Sequence, residues 1–204
     1  MKIKIILSFF GAILLSSCSL SPVKTTPVST YTFTPSAIKT VVFRKPESHK
    51  IILVNQPAAA PGYATSHMMY EKTPSQLNVF ADHRWIAPPA DLLLALITDQ
   101  LRACHYFHAV VTAPFSGTVN YQLNTKLLML KQEFLHAHSE VRLSLEATLI
   151  DATTGNVIAS RVFETVVPVA ENNPYSGVLA TNKAVTIVLN RIVRFVVANM
   201  SHHD

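Results

Sequence analysis

The chain has 204 residues, with 17 Lys and Arg against 12 Asp and Glu, five glycines, two cysteines and a formal net charge of +5. Its basic residues are scattered, with no cluster and no interleaved aromatics, which argues against nucleic-acid binding. So few glycines leave no room for a phosphate-cradling loop, and the length suits one domain with a substantial core.

The first residues read as a targeting signal. Lys2 and Lys4 make a short basic start, and Ile5 to Leu15 follows as an apolar stretch interrupted only by Ser8 and Gly11. That stretch is too short to span a bilayer as a helix, which takes roughly 20 apolar residues. Leu15-Ser16-Ser17-Cys18 then resembles the bacterial lipobox, an aliphatic residue and two small ones before the cysteine that receives lipid. The pattern predicts a lipoprotein signal peptide over residues 1–17 and covalent lipid on Cys18, several acyl chains giving stable anchoring. Ser19 does not resemble the aspartate that retains lipoproteins at the inner membrane. The expected location is therefore the outer membrane, lipid-anchored and facing the periplasm. An ordinary secretory signal with an incidental Cys18 is the alternative. Cleavage would leave about 187 residues with a net charge of +3.

Residues 18–30, rich in Ser, Thr, Pro and Val after the cysteine, read as a flexible tether, and residues 31–204 as a single periplasmic domain. Tyr31-Thr32-Phe33-Thr34 alternates aromatic and β-branched residues, so a short strand is expected there. Lys50 to Val54 is a compact apolar run, read as a buried strand stopped by Gln56-Pro57. Ala58 to Thr65, holding Pro61 and Gly62, is a loop. Met68-Met69-Tyr70 and Gln76 to Phe80 read as two strands about the turn Thr73-Pro74-Ser75. Pro88 and Pro89 open a helix whose Leu92, Leu93, Leu96, Ile97 and Leu101 form an apolar face, ending near Cys104. With Cys18 lipidated, Cys104 has no disulfide partner and reads as a small buried hydrophobe.

The second half carries the clearest periodicity. Tyr121, Leu123, Thr125 and Leu127 mark a long strand. Val141, Leu143, Leu145, Ala147 and Leu149 alternate with Arg142, Ser144, Glu146 and Thr148, one face buried and one wet. Asp151 to Gly155 is a tight connection, and Val157 to Val167 returns as the second arm of a hairpin. Pro174 opens a final helix capped by Asn172 or Asn173. Val178, Val185, Leu189, Ile192, Val193 and Val196 line one side of it, and Lys183, Asn190, Arg191 and Arg194 lie mostly on the other. Two amphipathic helices and about six strands predict an α+β two-layer sandwich, a mainly antiparallel sheet with both long helices on one face.

Catalytic signatures are not found. His105 and His108, His136 and His138, and His202-His203 lack the further ligands of a zinc site, so no metal is expected. There is no Gly-x-Ser-x-Gly elbow. Glu133, Glu140, Glu146, Asp151 and Glu164 sit in or beside strands, each read as a solvated face residue. Trp85, the only tryptophan, precedes the first helix. It reads either as a staple between that helix and the sheet or, with Arg84, as an interface anchor.

That same segment carries a family resemblance. Leu15-Ser16-Ser17-Cys18, Tyr31-Thr32-Phe33-Thr34-Pro35, Ile51 to Val54, Gly62-Tyr63 with Met68-Met69-Tyr70, and Phe80 to Trp85 with Pro88-Pro89 resemble the ABC-type transport auxiliary lipoproteins. These accompany MCE-type, paraquat-inducible-like lipid transport systems. The likeness covers most of residues 31–165. Where the family has a Gly-x-Phe-x-x-Val turn this chain has Tyr106-Phe107-His108-Ala109-Val110, with His105-Tyr106 in place of the glycine. His83 or Arg84 replaces the more usual asparagine before the tryptophan. The resemblance implies a non-enzymatic docking subunit whose partners are an MCE-domain protein and an inner-membrane ABC transporter complex, with no cofactor beyond the lipid on Cys18. Trp85, Arg84 and Tyr63 are the candidate partner-binding residues, and homo-oligomerisation stays open. The alternatives are a periplasmic lipid carrier and a lipoprotein activator of a cell-wall enzyme.

Overall fold

The computed structural model describes residues 27–34, 42 and 48–200. The signal peptide, Cys18, most of the tether and His202-His203 lie outside the described residues. Nine strands and two helices follow in the order β1 (Ser29–Tyr31), β2 (Ser48–Val54), β3 (Ala58–Ala59), β4 (His67–Thr73), β5 (Gln76–Trp85), α1 (Pro89–Ala103), β6 (Phe107–Thr112), β7 (Tyr121–Glu133), β8 (Glu140–Asp151), β9 (Val157–Pro168) and α2 (Pro174–Met200).

The fold is α+β with an open sheet, as the hydrophobic pattern predicts. The long ladders β7–β8 and β8–β9 are antiparallel, as is β4–β5. The short strands join in parallel, which makes the sheet mixed. The length of β7 is the reason. One of its edges carries β8 throughout, and the other is divided in series: β2 pairs beside Tyr121, β3 beside Lys126 and β4 beside Gln132. Outside these, β6 flanks β2, β5 flanks β4, and β1 flanks only the Trp85 end of β5.

Both helices cover one face. Leu93, Ile97 and Leu101 of α1, four residues apart, are all buried, and α2 buries Val185, Leu189, Ile192 and Val196. Against them stand Leu123 and Leu127 of β7 and Val141, Leu143, Leu145 and Leu149 of β8, each at most 1% exposed. A bulge between Leu127 and Met129 shifts the alternation of β7, so Leu130 takes over on the inner side. The final helix starts as its sequence requires. Asn173 Oδ1 accepts the Ser176 amide at 2.8 Å, Pro174 follows where no amide is needed, and Asn172 instead holds Ser139. At the end of α1 the chain turns through His105 at φ +53°, a left-handed conformation that glycine adopts without strain.

Candidate functional site

The part-exposed edge of the domain at β1, β4 and β5 gathers rings that are far apart in sequence. Phe80 of β5 lies 4.5 Å from Tyr70 of β4 and 6.4 Å from Phe134, which follows β7. His83 is 6.2 Å from Phe80 and 5.9 Å from Tyr31 of β1, and Tyr31 is 6.2 Å from Tyr175 in the first turn of α2. The Lys72 ammonium sits 5.4 Å from the Tyr70 ring and 5.9 Å from that of Phe134. Six rings thus form a continuous band. Tyr175 is 57% exposed and the others are half-buried. Tyrosine rings such as Tyr31, Tyr70 and Tyr175, apolar in body and polar at the tip, are common in partner-binding surfaces.

Trp85 is the floor under this band. It is 3% exposed and meets Phe33 edge-on at 4.9 Å. Its amide donates to Ser66 O at 2.8 Å, and the next amide, of Ile86, donates to Tyr31 O at 2.7 Å. Beyond β1 the chain is tied to α2 by a reciprocal pair: the Thr34 amide donates to Asn182 Oδ1 and Asn182 Nδ2 donates to Thr34 Oγ1, both at 3.1 Å. Trp85 therefore offers almost no surface of its own. Arg84 and Ile86 on either side of it are exposed.

Tyr63 belongs to a different neighbourhood. Its turn closes by a hydrogen bond that the Tyr63 amide donates to Ala60 O at 3.0 Å, with Gly62 at φ +88°. It lies beside an ion network on the sheet face away from the helices. There Lys131 pairs with Glu71 and, at 2.9 Å, with Glu133. Arg142 reaches Glu133 at 3.0 Å, Glu164 at 2.6 Å and Glu140 at 3.4 Å. Glu133 is only 5% exposed, which corrects its reading as a solvated residue: cations on both sides let it stay charged beneath the surface. Burial pushes its carboxyl up, but hydrogen bonds from Arg142 and Lys131 outweigh that and hold it below the ordinary range. The Lys131 bond, aided by the Ser75 amide, holds Glu71 low as well. The Tyr63 hydroxyl is pushed up by burial, with Lys131 opposing. The network joins side chains of four strands, β4, β7, β8 and β9.

Among the described residues no group of three or more His, Cys, Asp or Glu is placed to hold a metal, and His136 and His138 are exposed in the β7–β8 connection. No helix among them is long and apolar enough to cross a membrane. Of the candidate residues, Trp85 and Arg84 adjoin the aromatic band, and Tyr63 adjoins the ion network. Of the band's members, Tyr31, Tyr70, Phe80 and His83 fall within the motifs quoted for the family resemblance, and Phe134 and Tyr175 come from segments outside them.

Comparison with known proteins agrees with this architecture. The structure is similar to that of protein XCC0632 from Xanthomonas campestris, with a TM-score of 0.78 at 19% identity over 86% of this chain and 98% of that one. A second solved structure, of an uncharacterized protein, gives a TM-score of 0.65 at 16% identity, covering 83% of this chain and 98% of that one. These likenesses are of fold. No curated protein matches the chain in sequence. The family described as "ABC-type transport auxiliary lipoprotein component" matches residues 31–193, nearly the whole of the folded domain, and the chain belongs to that family.

Proposed function

We propose that this auxiliary lipoprotein is the docking subunit of an MCE-type intermembrane lipid transport system, held at the outer membrane by acyl chains on Cys18 and facing the periplasm. Family membership supplies the auxiliary, membrane-anchored role. The observation that carries the docking surface is the band of six rings. It lies at the edge where the chain arrives from its anchor, beside the exposed Arg84, and it is underpinned by a Trp85 that cannot shift without disturbing the core. A rigid surface on a short tether raises the effective concentration of its partner site. The role expected of the chain is to bind and position; the chemistry of transport belongs to its partners.

Affinity purification of the tagged full chain from detergent-solubilised envelopes tests this. Wild type should bring down an MCE-domain protein and ABC transporter components. The double variant Arg84→Ala, Tyr175→Ala should lose them at equal abundance, because both side chains are exposed and their truncation leaves the core intact. Recovery of no transporter component with wild type ends the docking reading. Labelled palmitate should enter wild type but not Cys18→Ala, and density-gradient separation of the two membranes locates the anchor.

A further inference from the structure

On the far side of the domain from the aromatic band, β9 is paired only with β8 among the described residues. A groove of about 680 Å³ runs between it and the C-terminal half of α2. Three guanidinium groups line the groove: Arg161 from β9, and Arg191 and Arg194 from α2. All three are exposed, and none forms an ion pair with a described carboxylate. The one acidic residue in the lining, Glu164, directs its carboxylate to the opposite sheet face. There it binds Arg142 at 2.6 Å, leaving only its carbonyl on the groove side, where Arg191 donates to it at 2.9 Å. The groove is therefore uniformly cationic. The helix macrodipole does not explain this, because its effect is confined to the last turn and both helix arginines precede that turn.

The floor is apolar. Phe163 and Phe195 meet edge to face at 5.5 Å, and the Arg161 guanidinium stands 6.0 Å from the Phe195 ring. Ala198 of α2, also in the lining, is exposed. Planar guanidinium forks match phosphate oxygens in pairs, and aromatic and aliphatic surface beside them suits a ligand with an apolar body. The volume lies within the ~300–1,000 Å³ usual for small-molecule sites, far more than a bare phosphate ion fills. We infer that this groove binds the phosphate of an anionic phospholipid headgroup, with Arg161, Arg191 and Arg194 as its ligands and the Phe163–Phe195 pair beneath the glycerol. The site stands whether or not the aromatic band docks a transporter.

Calorimetric titration of the full chain in non-ionic detergent, with short-chain phosphatidylglycerol as probe, tests it. Wild type should bind phosphatidylglycerol saturably, and more tightly than phosphatidylcholine or inorganic phosphate. Arg161→Gln with Arg194→Gln should weaken binding at least tenfold while the unfolding midpoint stays in place, since both side chains are exposed. Equal affinity in wild type and double variant overturns the site. Inorganic phosphate binding as tightly as the lipid overturns the lipid assignment. Binding that appears only after removal of residues 201–204 assigns the groove to the chain's own C-terminus instead.

Discussion

Arg142 grips Glu133 from the neighbouring strand, its Nε donating to both carboxylate oxygens at 3.0 and 3.1 Å. The Glu133 side chain is 6% exposed and that of Arg142 is 30% exposed, so the pair is shielded on one side only. Removing the arginine leaves a carboxylate with one cation, Lys131, where it had two. Arg142→Met should cost roughly 2–3 kcal/mol in urea unfolding, below the ~3–5 kcal/mol of a wholly buried pair. A loss within ~0.5 kcal/mol would mean that water already screens the contact.

The same network sets an acid limit. Glu71 and Glu133 both titrate below their ordinary value of 4.5 in the folded chain. Depressed carboxylates bind fewer protons folded than unfolded. Their stabilisation is complete above about pH 4.5 and is lost as the pH falls through the lowered values. The urea midpoint should therefore hold above about pH 4.5 and drop as the pH falls below it. Glu133→Gln should flatten that drop while lowering the midpoint at neutral pH. A slope identical to wild type would remove Glu133 from the acid-sensitive set.

His105, at φ +53°, occupies the residue after the C-cap of α1, a position that favours glycine. A side chain in the left-handed region costs roughly 1–2 kcal/mol, and glycine gives back about half of that through the backbone entropy it loses on folding. His105→Gly should thus stabilise the domain by about 0.5–1 kcal/mol in thermal or urea unfolding. Destabilisation would show that the imidazole makes a compensating contact.

Much of this architecture was legible because one-sided burial writes a period into the chain. Val141 to Leu149 shows it on the inner face, with Ser144 the one expected wet residue that is buried, and so does the Leu93, Ile97, Leu101 stripe of α1. Other parts left no such trace. β3 is two alanines whose strand character comes from pairing with Lys126 and Leu127. β6 rests on parallel pairing with β2 and shows no alternation of its own. The continuation of β5 through Asp82, His83 and Arg84 is polar and lies beyond the stretch Gln76 to Phe80 read as a strand. Glu133 looked solvated because it is charged and lies on the outer sheet face; it is buried by Lys131 and Arg142 packing against it, which no local pattern records. The aromatic band and the arginine groove are built from segments that meet only in three dimensions. Arg191 and Arg194 were readable as a polar helix side, but nothing in the sequence brings Arg161 to them.

Gly177 shows how closely α2 approaches the sheet. A Cβ at this position would overlap the side-chain oxygen of Gln132. Gln132 cannot simply swing away, because its Nε2 is held by Ser139 Oγ at 2.9 Å and by Asn173 O at 3.4 Å. Gly177→Ala should therefore cost about 1–2 kcal/mol despite the ~1 kcal/mol helix-propensity gain. In a Gln132→Ala background the same change should be neutral or stabilising, a coupling that a double-mutant cycle reads directly. Equal effects in both backgrounds would mean the helix shifts to make room.

Cys104 and Cys18 can be told apart by a single thiol count. Cys104 is fully buried, its Sγ donates to Leu101 O at 3.0 Å, and burial pushes its thiol up, so the reactive thiolate is scarce. Maleimide labelling of the native chain purified from envelopes should be slow and should rise only across the unfolding transition. In denaturant the chain should then take up one label if Cys18 is acylated and two if it is not. Fast native labelling of a single site would contradict the burial of Cys104. Two labels in denaturant would instead remove the lipid anchor, and with it the membrane-tethered geometry on which the docking reading depends.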